Sequence, residues 1–125
     1  MKVTLRQIVL AIPALAKVTA CNLNLRSAYK LKKSVEELQK EADFFSEERR
    51  KVIQKYSHTD KEGAVVLDTA KEEKAVAAME ELLDMEVTPN AAVVEIPITE
   101  DITLSVNDIE LLAPFVKFTD TEETS

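Results

Sequence analysis

The chain has 125 residues, 46% of them apolar, which is enough for one hydrophobic core and not for two. Its 16 Lys and Arg against 23 Asp and Glu give a formal charge of −7, a field that repels phosphate backbones and anionic lipid, so nucleic acid is disfavoured as a partner. A single glycine, Gly63, excludes the glycine-rich loops of Walker and dinucleotide-binding sites, and a single cysteine, Cys21, excludes an internal disulfide framework and fits a reducing compartment.

Met1 to Cys21 admits two readings. In the first, Thr4-Leu5-Arg6-Gln7 is a capping box with Val3 and Ile8 at the staple positions. The helix it opens runs through Ile8, Val9, Ile12, Leu15 and Ala16, and Pro13 is expected to kink or split it. In the second, Lys2 and Arg6 precede a short apolar run, and Val18-Thr19-Ala20-Cys21 has the look of a lipoprotein export signal. Lys17 interrupts the run just before that box, so the helix is the preferred reading and lipoprotein export is disfavoured. No stretch approaches the roughly 20 apolar residues that span a bilayer.

After a short connection at Asn22-Leu23-Asn24-Leu25, the spacing predicts a long helix over Ser27 to Tyr56. Ala28, Leu31, Val35, Leu38, Ala42, Phe45, Arg49, Val52 and Tyr56 recur at alternating intervals of three and four along one stripe. Such a helix is about 45 Å long at about 1.5 Å per residue, more than a small domain is expected to cover. The stripe therefore predicts a homo-oligomer through Val35, Leu38, Ala42, Phe45, Arg49 and Val52, most simply a two-fold dimer. Glu36 with Lys40, and Glu47 with Lys51, are placed for i,i+4 pairs on the outer face. Arg49 occupies a position where an apolar residue belongs. It either snorkels to a neighbouring carboxylate, fixes register across an interface, or binds an anion. Tyr29, Lys30, Lys33 and Arg49 form a candidate set of contacts for an anionic ligand such as a small nucleotide, provided that the fold makes a concave site of them.

Beyond the helix, Tyr56 to Gly63 reads as a polar turn holding the lone His58 in solvent. Ala64-Val65-Val66-Leu67 suits a short strand, and Thr69-Ala70-Lys71-Glu72 a second capping box opening a helix to about Glu86. Ala75, Val76, Ala78, Met79, Leu82, Leu83 and Met85 give that helix a wide apolar face. Val93 to Ile98 reads as a strand that Pro97 confines to an edge, with Ile102-Thr103-Leu104 as a possible hairpin partner. Ser105-Val106-Asn107-Asp108 caps a last helix whose Ile109, Leu112, Phe115 and Val116 face inward. Thr119 to Ser125 is acidic and polar, with nothing to bury, and is expected to be mobile. The expectation is one α+β domain over residues 1–118 followed by this tail. The domain is mostly helical, with the long heptad-patterned helix in a helical hairpin or bundle and a small β element toward the C-terminus.

No catalytic constellation emerges. Glu80, Glu81 and Asp84 resemble half of the magnesium-holding pattern of nucleotide pyrophosphohydrolases, but the preceding helix lacks the matching Glu-x-x-Glu. Cys21 has no placed base. No catalytic, cofactor or metal residue is assigned. The hydrophobic first helix, Ser27-Ala28-Tyr29-Lys30-Leu31, Lys55-Tyr56, Asp60-Lys61-Glu62-Gly63 and the closing Leu104 to Val116 together resemble small uncharacterised proteins of tailed phages and prophages of Gram-positive bacteria. The resemblance implies a phage-encoded, non-enzymatic protein of the host-cell cytoplasm. It would act by self-association and binding to a phage or host protein, as an accessory to particle assembly or replication. The alternative is an anti-defence protein that binds a host immune protein or sequesters a small nucleotide signal, and a further alternative is a magnesium-dependent nucleotide pyrophosphohydrolase.

Overall fold

A computed structural model describes residues 1–120; residues 121–125, most of the acidic tail, lie outside the described residues. The described chain is a mostly helical α+β fold with four helices, 57% helical. The helices are α1 (Leu5–Thr19), α2 (Leu25–Lys55), α3 (Glu72–Leu83) and α4 (Val106–Leu112). Among them lie β1 (Val3–Thr4), β2 (Ser57–Thr59), β3 (Val65–Leu67), β4 (Glu86–Val87), β5 (Val94–Pro97) and β6 (Val116–Thr119).

The capping box at the start of α1 is complete. The Gln7 backbone N–H donates to Thr4 Oγ1 at 3.2 Å, and the Thr4 N–H donates to Gln7 Oε1 at 2.9 Å. Pro13 does not split the helix. It lies on the exposed side, while Ile8, Ala11, Ala14, Leu15 and Val18 are buried on either side of it, so tertiary packing holds both halves in line.

Helix α2 is the long helix that the heptads predict, capped at Asn24, whose side chain accepts from the Ser27 N–H at 2.9 Å. Its buried stripe is Ser27, Leu31, Ser34, Leu38, Ala42 and Phe45. Ala28 and Val35, expected at its centre, are half-buried flanks instead. The rotation has a polar cause: the Ser34 hydroxyl donates to the Ala92 carbonyl at 3.2 Å and the Ser27 hydroxyl to the Glu95 carbonyl at 3.4 Å. Two hydroxyls on α2 thereby satisfy main-chain acceptors, one in β5 and one in the segment before it. The covering expected from a second copy is made within the chain, because α1, α3 and β5 all pack on α2. Leu38, Ala42 and Phe45 are consequently buried within the single chain, whereas Arg49 of the same expected stripe is exposed. The surface pairs on α2 also differ from those expected. Glu37 with Lys40, Glu47 with Arg50, and Glu48 with Lys51 pair at i,i+3, and Glu36 takes Lys32.

Each sheet has two strands. Antiparallel β1 and β4 tie the start of the chain to the end of α3, with Val3 opposite Val87. This strand stops α3 at Leu83, short of the expected Glu86. The second expected capping box does not form. Thr69–Lys71 is a 3-10 turn, and the preceding Asp68 carboxylate is engaged by the His58 ring and by Lys71, at 3.6 Å. His58 is therefore not in a free turn but on β2, opposite Val66 of β3.

β5 pairs with β6 in parallel, Val94 opposite Val116 and Ile96 opposite Phe118. Ile102–Leu104 forms no hairpin with β5; the chain crosses over through α4 and returns alongside. The Val94 N–H donates to the Phe115 carbonyl at 3.1 Å and the Ile98 N–H to the Thr119 carbonyl at 2.8 Å, so Pro97 falls on the alternate side, where no ladder donor is needed. The last helix ends at Leu112, and Val116–Thr119 is strand, so Thr119 belongs to the fold and not to the tail. Leu5, Ile8, Leu15, Leu31, Leu38, Ile96, Leu112 and Phe115 make the deepest core, joining α1, α2, α4 and the β5–β6 pair.

Candidate anion-binding cleft

The first two turns of α2 carry Arg26, Tyr29, Lys30 and Lys33 at i, i+3, i+4 and i+7, which places them on one face. Ser27 and Ser34 fix the orientation of that face, because their hydroxyls are committed to β5 and the segment before it. Against it lies the chain from Asn90 to Val94. Tyr29, Lys30, Lys33, Ser34 and Glu37 make one wall of a cleft of about 450 Å³, and Asn90 to Val94 make the other. That volume lies within the usual range for small-molecule sites.

The Lys33 ammonium stands 5.5 Å from the centroid of the Tyr29 ring, a cation–π contact between two residues that line the cleft. Tyr29 itself is 59% exposed, so part of its ring remains open to solvent. Glu37 would oppose an anion, but its carboxylate is taken by Lys40 at 2.9 Å. On the facing wall, the backbone N–H groups of Ala91, Ala92 and Val93 have no hydrogen-bond partner among the described residues.

In a chain of charge −7, the placing of the cations decides where an anion can bind. Arg6 lies between Glu80 and Asp84, and its two hydrogen bonds, first to Glu80 and then to Asp84, push its pKa up. Lys17 bonds Asp108 at 2.9 Å and, with the Ser105 backbone N–H, holds that carboxyl below the usual carboxylate range. Asp68 is likewise lowered, chiefly by its hydrogen bond to His58. Arg26, Lys30 and Lys33, by contrast, have no carboxylate within ion-pair distance among the described residues.

Three of the four expected ligand contacts thus meet in one cleft, and the fourth does not. Arg49 lies 16 positions beyond Lys33, about 24 Å along α2 at about 1.5 Å per residue. Its side chain is exposed and forms no hydrogen bond or ion pair among the described residues. Of the other expected interface positions, Val35 lines a separate cavity with Leu23, Ala28 and Leu31, and Val52 one between α2 and α3 with Glu48, Glu81 and Leu82. The facing wall at Asn90 to Val93 was missed. Its only sequence signal, Val87-Thr88-Pro89-Asn90, reads as a helix stop, which says nothing of what the following residues pack against.

The carboxylates that resemble a magnesium half-site are spent on another role, since Glu80 and Asp84 hold the Arg6 guanidinium. Among the described residues no group of three or more His, Cys, Asp or Glu is placed to hold a metal ion. No helix among them is long and apolar enough to cross a membrane. Comparison with protein-family models, with curated proteins and with solved structures finds no match to this chain.

Proposed function

We propose that this chain is a non-catalytic binding protein whose ligand is a small organic anion, a phosphate or carboxylate group carried on a planar ring. The observation that carries this reading is the convergence of Lys30, Lys33 and the Tyr29 ring on one cleft. The lysines complement an anionic head, and the aromatic face complements a ring, a combination that fits a nucleotide. No thiol, hydroxyl–imidazole pair or paired carboxylate lines the cleft, so its residues supply recognition and no nucleophile or base.

The sequence resemblance supports a phage origin and a place in the host cytoplasm, and within that setting sequestration of a nucleotide signal is the role that the cleft fits best. Self-association belongs to the same proposal but must use surfaces other than the interior Leu38, Ala42 and Phe45.

Thermal melts and calorimetry with inorganic phosphate, nucleoside mono- and triphosphates and cyclic nucleotides test the reading. A true ligand at about 100 times its Kd raises stability by about 2.7 kcal/mol. Lys30→Glu with Lys33→Glu should abolish that gain and leave the ligand-free melt unchanged. Absence of any response to these anions at millimolar concentration would refute ligand binding, and turnover of a bound nucleotide would refute the non-catalytic assignment.

A further inference from the structure

The end of the β5–β6 pair and α4 enclose an apolar cavity of about 300 Å³ lined by Ile98, Ile102, Leu104, Ile109 and Phe118. Ile109, expected to face the core, is 47% exposed, and Ile98 is 55% exposed. The physical reason is that α4 is only seven residues long and spends its inner face on Leu112 and the capping residue Asp108, leaving Ile109 on its outer side. Glu100, Asp101 and Glu110 adjoin this cavity in the chain, are exposed, and form no ion pair among the described residues. The patch is therefore apolar at its centre and acidic around it, the arrangement that selects a partner with apolar anchors and flanking cations.

The same chain carries such a surface. Leu25 is 85% exposed and Tyr29 59% exposed, at i and i+4 on one ridge of α2, and Arg26, Lys30 and Lys33 flank them without carboxylate partners. Among the described residues nothing covers Leu25.

We propose that the Leu25–Lys33 ridge of one copy docks on the Ile98–Ile109–Phe118 cavity of a second copy, Leu25 and Tyr29 filling it and Arg26 and Lys30 meeting Glu100, Asp101 and Glu110. The two surfaces differ, so residue i meets residue j, and the contact closes as a two-fold pair or propagates as a ring or filament. The contact goes beyond the anion cleft but shares Tyr29 and Lys30 with it, so docking and anion binding compete for those two side chains.

Sedimentation velocity on the wild type, Leu25→Glu and Ile109→Lys tests it, since both changes are at exposed positions and place a like charge opposite the proposed partner. The wild type should associate at high micromolar concentration, and each variant should do so about tenfold or more weakly, with melting unchanged. An equimolar mixture of the two variants should regain association, because each keeps the surface that the other has lost. A variant that melts lower is replaced by Leu25→Ser or Ile109→Ser, for which the same weakening and the same rescue are expected. A monomeric wild type, an oligomer that neither change weakens, or a mixture that fails to regain association would each overturn the proposal. Both variants keep the cleft-lining side chains, so the anion response of the dissociated variants reads the cleft apart from the assembly.

Discussion

Ser34→Ala tests the claim that two hydroxyls, and not a purely apolar stripe, seat α2 against β5. Ser34 is 5% exposed, and its hydroxyl donates to the Ala92 carbonyl at 3.2 Å. Removing the donor leaves that part-buried acceptor unpaired, at a cost of about 1–3 kcal/mol. Alanine is also the better helix former, which offsets the loss by about 0.5 kcal/mol. The net expectation is a destabilisation of about 1 kcal/mol, because Ala92 is itself exposed and water can partly replace the lost donor. Ser46→Ala, at an exposed position of the same helix, isolates the propensity term and should be neutral or slightly stabilising. Urea titrations of both variants supply the difference, with an unchanged m-value showing that the unfolded reference has not moved. In thermal melts the Ser34 variant should fall by about 4 °C for a chain of this size. Loosening of the Asn90–Val94 wall should also weaken the response to an anionic ligand. If Ser34→Ala proves as stabilising as Ser46→Ala, the hydroxyl does not seat the helix and the polar account of the rotated stripe is wrong.

Leu38→Ala removes a fully buried side chain and should cost about 3 kcal/mol in urea titrations, equally at low and high protein concentration, since the chain itself covers it; a loss confined to the associated form would return Leu38 to an interface. Arg49→Leu should change stability by no more than about 0.5 kcal/mol and leave the anion response intact, and a larger loss in the same melts would reveal a partner for the guanidinium. Asp108 is held below the ordinary carboxylate range, chiefly by Lys17, so the unfolded chain takes up that proton first as pH falls. The stability that the pair contributes is full above the ordinary carboxylate range and is lost as pH drops through the lowered folded value, and Asp68 behaves likewise. Asp108→Asn should therefore lower the urea midpoint at neutral pH and flatten its decline on acidification; an unchanged acid limb would refute the linkage.

Local signals in the sequence determined the elements whose causes are local. The Thr4–Gln7 and Ser105–Asp108 boxes form because their partners lie three residues apart, within reach before any tertiary structure exists. The length of α2 follows from an uninterrupted helical pattern without Gly or Pro, and Tyr29, Lys30 and Lys33 share a face through helical periodicity alone. What covers α2 was decided only by the tertiary structure. A heptad stripe states that an apolar face must be buried and is silent on whether the same chain or another buries it. Here α1, α3 and β5 do so, and Ser27 and Ser34 turn the stripe by meeting carbonyls 68 and 58 residues away. The parallel pairing of β5 with β6 was hidden for the same reason: strands of four residues each signal extension, while the partner is set by how α4 carries the chain across. The separation of Arg49 from the cleft follows from helix rise, but the cleft itself exists because a segment remote in sequence, Asn90 to Val93, forms a second wall opposite Lys30 and Lys33. Periodicity fixes which residues share a surface; only the packing of the chain fixes what that surface faces.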